Sequence, residues 1–271
     1  MNQRKSLKEL NLLDKFLFDE AMDDPENVKT MLDIILSQNT NLKHPPQTEK
    51  EQRTSTDNRQ IRLDVYAIDE DDVIYEVEAQ KENTHNLPKR SRLYQGIIDS
   101  KLLPQGVVDF NLLNEVLIVL IMPFDLFGYG LYRYTFQMKC EEIPELKLDD
   151  GATRIFLNTR GKHPELVSPE LIELLKYMEH STDEVSKVCK SKRIQEMHRR
   201  VCQIKASEKA EVKYMQTWEE KILIKQEGER IGLERINRLN QKLIEQGRFD
   251  DLTKATSDSS YQEKLLKEFK I

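Results

Sequence analysis

The sequence predicts a mixed α/β domain with a β-sheet at its centre, followed by an α-helical C-terminal region. Three observations lead to this prediction. Residues 61–80 alternate twice between apolar and polar side chains around an acidic turn, which is the pattern of two paired strands with one face in a core. Residues 113–122 form a nearly continuous apolar run, which is typical of a buried central strand. From Ser168 onward, apolar residues recur at the helical spacing of three and four.

The elements ahead of the hairpin are predicted from helical spacing and from proline. Residues 7–22 have the apolar stripe of one amphipathic helix. Pro25 and Glu26 suit the first turn of a second helix, which extends to Ser37. Residues 40–58 are polar and are predicted to form a loop with a short strand near residues 49–54.

One register of the hairpin brings its two apolar faces together, whereas a slip by one residue would separate them. The predicted pairs are Val65 with Val77, Leu63 with Ala79 and Ala67 with Tyr75. The turn then falls near residues 70–72. The same register sets Asp64 opposite Glu78, and Arg62 opposite Gln80.

Two carboxylates directly opposite each other on paired strands are unusual, because like charges in these positions destabilise the sheet. Asp64 and Glu78 would repel each other by roughly 3 kcal/mol at about 5 Å and an effective dielectric constant of 20. A divalent cation would remove this repulsion, and hard oxygen ligands suit Mg²⁺. The alternative stays open that these acids line the solvated face of an ordinary antiparallel sheet.

Further elements follow the hairpin. Asn86 is placed to cap a helix that runs to about residue 103 and directs Leu93, Ile97 and Ile98 at the sheet. Additional strands are predicted at residues 132–138 and 154–158. Ser168 caps a helix to about residue 179, and Thr182 caps another that extends past Trp218.

These elements divide into a domain at residues 1–165 and a helical C-terminal region at residues 166–271. The helices of the second region have apolar stripes, one of which includes Leu239 and Leu243. Such stripes pack either on their own domain or on a second copy of the chain. A homo-oligomer formed through the C-terminal helices therefore stays an open alternative.

Composition narrows the class of protein. The chain has 271 residues, of which 33% are charged, and its formal net charge is −6. No stretch approaches the roughly 20 apolar residues of a membrane span, and residues 1–10 lack the apolar core of a signal peptide. The cysteines are Cys140, Cys189 and Cys202, without a CxxC pair, as expected for free thiols. We therefore expect a cytoplasmic protein without a membrane partner.

Two basic elements offer contacts for phosphate despite the negative net charge. Lys89, Arg90 and Arg92 lie at the start of the helix after the hairpin, with Tyr94 four residues after Arg90. The second element, residues 185–209, holds eight Lys or Arg against two Glu. Either element can instead be a solvated basic surface, so DNA contact is an expectation at both.

Several segments resemble one family of nucleases. They are Leu-Leu-Asp-Lys-Phe-Leu-Phe from Leu12, Arg-Leu-Asp-Val-Tyr from Arg62, Glu-Val-Glu-Ala-Gln from Glu76 and Asn-Leu-Pro-Lys-Arg-Ser-Arg-Leu-Tyr-Gln from Asn86, with shorter matches from Phe124, Tyr132, Arg154 and Gly247. In their order and spacing the chain resembles the Rpn family of recombination-promoting nucleases, also described as transposase-like, within the PD-(D/E)XK nuclease superfamily.

This resemblance implies an α-β-β-β-α-β core, a divalent metal (Mg²⁺ or Mn²⁺) and cleavage of DNA linked to recombination or transposition. Asp64 matches the aspartate of the motif and Glu78 its second carboxylate. Gln80 falls where many members have lysine, and Leu63 stands where the superfamily name has proline. Glutamine can hydrogen-bond a water molecule but adds no positive charge.

The expected reaction is metal-assisted hydrolysis of a phosphodiester bond. Asp64, Glu78 and the backbone carbonyl of Ala79 would hold the metal, and Gln80 would orient the attacking water. Accessory carboxylates are expected at Glu76, Asp19 and Glu20, and phosphate contacts at Arg90, Arg92, Tyr94 and Lys89. Two alternatives remain open: a DNA-binding or assembly module of the same fold whose site has decayed, and a helical scaffold that binds proteins.

Overall fold

The computed structural model describes residues 4–52 and 61–271, and it has an α/β fold built around a six-stranded mixed sheet. The strands are β1 (Gln47–Gln52), β2 (Ile61–Ile68), β3 (Ile74–Ala79), β4 (Val116–Met122), β5 (Arg133–Phe136) and β6 (Ala152–Asn158). The described α-helices are α1 (Lys15–Met22), α2 (Pro25–Leu36), α3 (Leu87–Asp99), α4 (Pro169–Glu179), α5 (Asp183–Val188), α6 (Lys192–Lys205), α7 (Glu208–Glu245), α8 (Phe249–Ser257) and α9 (Ser259–Glu268). Short 3₁₀ turns occur at Leu7–Glu9, Phe110–Leu112 and Pro164–Leu166.

The sheet has the strand order β1-β2-β3-β4-β6-β5. Strand β2 is antiparallel to both of its neighbours, β1 and β3; β4 is parallel to both β3 and β6, and β5 is antiparallel to β6. Strand β4 lies inside the sheet and is almost entirely buried, which explains why its sequence is uninterrupted by polar residues. Part of the predicted strand at residues 49–54 falls within β1, and residues 53 and 54 lie outside the described residues.

The predicted hairpin register is confirmed where the strands pair. Val65 lies opposite Val77 and Ala67 lies opposite Tyr75. The turn also falls where it was expected, and Asp69 stabilises it by accepting hydrogen bonds from the Tyr75 hydroxyl at 2.6 Å and from the backbone amides of Asp71 and Val73. The paired ladder ends at Val65 and Val77, and the next residue beyond it on each strand is Asp64 or Glu78.

The prediction of one helix over residues 7–22 is wrong. A 3₁₀ turn ends at Glu9, and α1 begins only at Lys15. Between them, the Asn11 side chain donates to the Glu179 carbonyl, and the Asp14 carboxylate accepts from the Asn11 amide. Such contacts between side chains and backbone compete with helical hydrogen bonds, so the chain bends here.

Helix α3 is shorter than predicted and is rotated from the expected face. Asn86 occupies the capping position, but its side chain accepts a hydrogen bond from Thr84 and makes none to the helix. Leu93 is 42% exposed, which corrects the prediction that it faces the sheet, whereas Ile97 and Ile98 are buried as expected. Leu93 lies about 100° around the helix from the centre of the buried stripe, and Tyr94 is buried instead.

The helices after Ser168 are also more divided than predicted. Ser168 and Thr182 cap α4 and α5 as expected. The prediction of one helix running from Thr182 past Trp218 is wrong, because α5 ends at Val188 and Ser191 caps a new helix, α6, by accepting from the Ile194 amide. Serine and threonine favour helix starts for this reason.

The chain forms two compact units, residues 1–211 and residues 212–271. In the described part of the first unit, α6 packs against α1, α2, α4 and α5, so α4–α6 belong to the same unit as the sheet. In the second unit, Leu239 and Leu243 of α7 pack with Ala255 and Leu265. Among the described helices, none combines the length and the apolar character that a membrane crossing requires.

Candidate functional site

Three carboxylates lie on the face of the sheet that α3 covers. Asp64, Glu76 and Glu78 are 6%, 0% and 8% exposed. Alternation along β3 puts Glu76 and Glu78 on the same face as Ile74, which packs in one apolar cluster with residues of α3 such as Ile97. Burial of three acids in such surroundings is costly unless cations accompany them.

One such cation is Lys15, at the start of α1. Its ammonium nitrogen lies 2.5 Å from Asp64 Oδ1 and 3.1 Å from Asp19 Oδ2. Burial acts to lower the pKa of Lys15, but the attraction of Asp64 and Asp19 outweighs it, so the pKa is raised. Lys15 therefore stays charged and connects α1 to the acidic face of the sheet.

The second cation is Arg90, in the first turn of α3. Its Nη2 atom donates to Glu78 Oε1 and, at 2.5 Å, to Gln80 Oε1. The guanidinium carbon lies 5.8 Å from the centre of the Tyr94 ring, which places the group over that ring. Arg90 thus joins three of the predicted residues into one cluster.

The acids remain difficult to ionise despite these two cations. Burial raises the pKa of Glu78 to about 7, with a further contribution from Asp64, although Arg90 opposes the shift. Burial also raises the pKa of Asp19 to about 7 and that of Asp64 above its usual range. For Glu76, complete burial and the charges of Glu78 and Asp64 raise the pKa well above its usual value.

Several polar atoms of the cluster lack partners within the described part of the chain. These atoms are both carboxylate oxygens of Glu76, Oε2 of Glu78 and Nε of Arg90. Buried oxygens are normally hydrogen-bonded, so unpaired ones indicate a missing partner. Carboxylate oxygens are the ligands that Mg²⁺ and Mn²⁺ prefer, so Asp64 and Glu78 are chemically suited to such a cation.

The other residues predicted for the site differ in their contacts and in their burial. Gln80 uses its carbonyl oxygen for Arg90 and its amide nitrogen for the Glu82 carbonyl, at 2.6 Å. Tyr94 is buried beside Arg90, and its pKa is raised, first by burial and then by Glu78. Lys15 links Asp19 to Asp64, and the adjacent Glu20 is partly buried on α1. Lys89 and Arg92 are exposed on α3, away from the Arg90 contacts.

The basic element at residues 185–209 is partly engaged within its own unit. Arg193 pairs with Glu170 and with Asp33, and Arg200 pairs with Asp24. Lys205 donates to the Ser181 carbonyl at 2.8 Å. These cations hold α6 against neighbouring helices, which leaves the exposed lysines of the element, such as Lys187 and Lys190, as its solvent-facing charges.

Sequence reasoning missed the role of Lys15. It assigned no function to this lysine, although Lys15 lies inside the Leu12–Phe18 segment that carries part of the family resemblance. The spacing of Lys15 and Asp19, four residues apart on one helix, was an available signal that both point in one direction. Contact with Asp64 across 49 residues of sequence needed the fold.

Comparisons were made with protein-family models, with curated proteins and with solved structures, and none of the three gave a match. The geometry of the cluster itself therefore carries the functional interpretation.

Proposed function

We propose that the protein is a metal-dependent DNA endonuclease with a PD-(D/E)XK-like core. The observation that carries this proposal is the buried pair Asp64 and Glu78, just beyond the last paired residues of β2 and β3, with Lys15 on one acid and Arg90 on the other. A cluster of acids with raised pKa values and perturbing partners is typical of functional sites.

The order of elements supports the same core. Helix α2, strands β1, β2 and β3, helix α3 and strand β4 follow one another as α-β-β-β-α-β. The first three strands are antiparallel, and β4 returns parallel to β3. This is the order that the family resemblance implies, and it sets the Asp64–Glu78 pair beside the start of α3.

Asp64, Glu78 and the Ala79 carbonyl would hold Mg²⁺ or Mn²⁺, which supplies Lewis-acid polarisation of the scissile phosphate and lowers the pKa of a bound water. Lys15 supplies the positive charge that glutamine at position 80 lacks. Its ammonium group, at the Asp64 carboxylate, is placed to hydrogen-bond the attacking water or a phosphate oxygen.

Arg90 and Gln80 position the other side of the site. The Arg90 guanidinium can exchange its contact with Glu78 for a phosphate oxygen, since guanidinium groups bind both anions in the same planar manner. Gln80 keeps Arg90 in place through its carbonyl oxygen. We assign DNA phosphate binding first to Arg90 and secondarily to exposed Lys89 and Arg92 on the same helix.

Nicking of supercoiled plasmid tests this function. Wild-type protein should convert the plasmid to the open circle with Mg²⁺ or Mn²⁺ and should not do so in excess chelator. Asp64→Ala and Glu78→Ala should abolish nicking while the circular dichroism spectrum stays unchanged. Asp72→Ala, in the exposed hairpin turn, is a matched control that should cut like wild type. Equal cutting by all four proteins would contradict the proposal.

A second function has one specific observation in its favour. Lys15 and Arg90 already neutralise the two carboxylates, as in a salt-bridge cluster of a binding module that no longer cuts. This alternative predicts salt-sensitive DNA binding that survives Asp64→Ala, without any metal-dependent product. The same plasmid assay, combined with DNA binding at two salt concentrations, separates the two functions.

A further inference from the structure

A second constellation lies among helices α4, α5 and α6, apart from the acidic face of the sheet. Asp183 is the first residue of α5, and His198 and Cys202 lie four residues apart on α6. Residues at this spacing share one face of a helix. Among the described residues, these three form the group of potential metal ligands whose ligand atoms all lie within 4.8 Å of one another.

The three ligand atoms converge on one point. His198 Nε2 lies 2.9 Å from Asp183 Oδ1 and 3.4 Å from Cys202 Sγ, and the sulfur lies 3.9 Å from the same Asp183 oxygen. Ordinary zinc bond lengths at tetrahedral angles require ligand atoms about 3.3–3.6 Å apart. The observed separations lie within a few tenths of an ångström of this triangle, so small side-chain rotations would complete it.

Tyr177 of α4 contacts the His198 imidazole at Nδ1, the ring nitrogen opposite the one that Asp183 contacts. The Tyr177 hydroxyl lies 3.0 Å from His198 Nδ1, and the two rings meet edge to face with centroids 5.5 Å apart. Tyr177 is fully buried and therefore fixed in position. Metal-binding histidines characteristically donate their second ring N–H to an oxygen partner. With Nδ1–H donating to the Tyr177 hydroxyl oxygen, Nε2 is left free for the metal.

The same contacts weigh against a cysteine nucleophile with a catalytic histidine. That arrangement needs the thiol and the carboxylate on opposite nitrogens of the ring. Here Asp183 Oδ1 contacts Nε2, the Tyr177 hydroxyl contacts Nδ1, and Cys202 Sγ lies beside the ring, 3.4 Å from Nε2 and 3.9 Å from Nδ1. The thiol and the carboxylate therefore do not occupy opposite nitrogens, and a metal on Nε2 would be reached by rotating the Cys202 side chain.

We propose that Asp183, His198 and Cys202 form a zinc site. The combination of one nitrogen, one sulfur and one oxygen ligand favours Zn²⁺ over Mg²⁺, which prefers oxygen alone. Three protein ligands leave a fourth position for water, on the side where Asp183 is exposed. The site would fasten the start of α5 to α6, and it does not depend on the nuclease proposal.

The test is zinc binding by untagged full-length protein. We expect one zinc per chain by elemental analysis, and a competition titration against a chromophoric chelator gives its affinity. Cobalt substitution should produce thiolate-to-metal charge transfer and the visible bands of a tetrahedral site. Cys202→Ser should weaken zinc binding by about 100-fold or more and remove the charge-transfer band, and Tyr177→Phe should weaken zinc binding by about tenfold.

Matched controls separate this site from other thiols and acids. Cys140→Ser alters another cysteine outside the cluster, and Asp72→Ala alters a carboxylate of the exposed hairpin turn, so both should bind zinc like wild type. If Cys202→Ser fails to fold, Asp183→Asn serves as the ligand variant instead. Asp183 is exposed, so this substitution should leave the fold intact. Absence of zinc from the wild type after zinc titration, or equal affinity in the wild type and Asp183→Asn, overturns the proposal.

Discussion

Lys15 of α1 donates a hydrogen bond to Asp64 of β2 at 2.5 Å, so a helix 49 residues earlier in the chain brings an ammonium group to the predicted catalytic aspartate. The motif of the nuclease family that the sequence resembles would place a lysine just after β3, at the position of Gln80. The fold instead supplies positive charge from Lys15 on one side of the acidic pair and from Arg90 on the other. This exchange of position has consequences that can be measured.

Replacement of Lys15 by alanine should slow metal-dependent cutting. We expect the rate constant at saturating DNA to fall by about 10²–10³, which is the usual effect of removing one group that stabilises a transition state. DNA affinity should change much less. Single-turnover cleavage and fluorescence anisotropy measure the two quantities. Lys8→Ala, in the exposed 3₁₀ turn, is the control, and a Lys15→Ala protein that cuts at the wild-type rate would refute this role.

Gln80→Lys should reduce activity, although it restores the residue common in the superfamily. Gln80 accepts from Arg90 at 2.5 Å, so a lysine there would place two cations side by side. Like charges about 4 Å apart repel by about 4 kcal/mol at an effective dielectric constant of 20. We expect cutting to fall at least about tenfold, because 1.4 kcal/mol already corresponds to that factor. Gln80→Met, similar in size and uncharged, isolates the loss of the amide. Faster cutting by Gln80→Lys than by wild type would contradict this prediction, because it would show that a lysine at position 80 improves the site.

Stability without metal should fall as the pH rises from about 4 to about 7. Folding raises the pKa of Glu78 and of Asp19 to about 7, and it raises the pKa of Glu76 further above its usual value. The folded protein therefore holds more protons than the unfolded chain in this window. Its extra stability is present below the unfolded pKa and is lost as the pH passes the folded pKa.

Glu76→Gln tests this explanation, because glutamine imitates the protonated acid. Its free energy of unfolding in urea with chelator should exceed that of wild type at pH 8, by an amount on the order of 1–2 kcal/mol, and the difference should shrink at pH 5. Exposed Glu82→Gln serves as the control and should follow the wild type at both values. If Glu76→Gln is less stable than wild type at pH 8, the ionised Glu76 carboxylate does not destabilise the folded protein, and this explanation is wrong.

The apolar cluster of the second compact unit gives an independent prediction. Leu239 is fully buried with Leu243, Ala255 and Leu265, whereas Leu233 on the same helix is 63% exposed. Leu239→Ala should lower the free energy of unfolding of this unit by about 2–5 kcal/mol. Leu233→Ala should change it by less than about 0.5 kcal/mol. Differential scanning calorimetry on the full chain makes the comparison, and equal effects of the two variants would contradict the packing described.

Sequence periodicity predicted those features that depend on neighbouring residues. Alternation along residues 61–80 determined the pairing of Val65 with Val77, and the same parity put Asp64 and Glu78 on one face. The helix starts at Ser168 and Thr182 followed from their capping hydroxyl groups. Each of these features is decided within about four residues of the chain or by a single hairpin.

Tertiary contacts determined the features that the sequence did not predict. The break before α1 depends on Asn11 reaching the Glu179 carbonyl, 168 residues away. The rotation of α3 that buries Tyr94 and exposes Leu93 depends on how the helix meets the sheet. His198 and Cys202 have helical spacing that was visible in the sequence, but Asp183 joins them only because α5 and α6 turn back on each other.

We propose above that Asp64 and Glu78 share a divalent cation. A crystal soaked in Mn²⁺ and measured for anomalous scattering tests it most directly, because the signal reports the metal position itself. We predict an anomalous peak within about 2.0–2.3 Å of a carboxylate oxygen of each residue, with Lys15 or Arg90 moved from its present contact. Absence of a peak there at saturating Mn²⁺, with both salt bridges intact, would contradict the account.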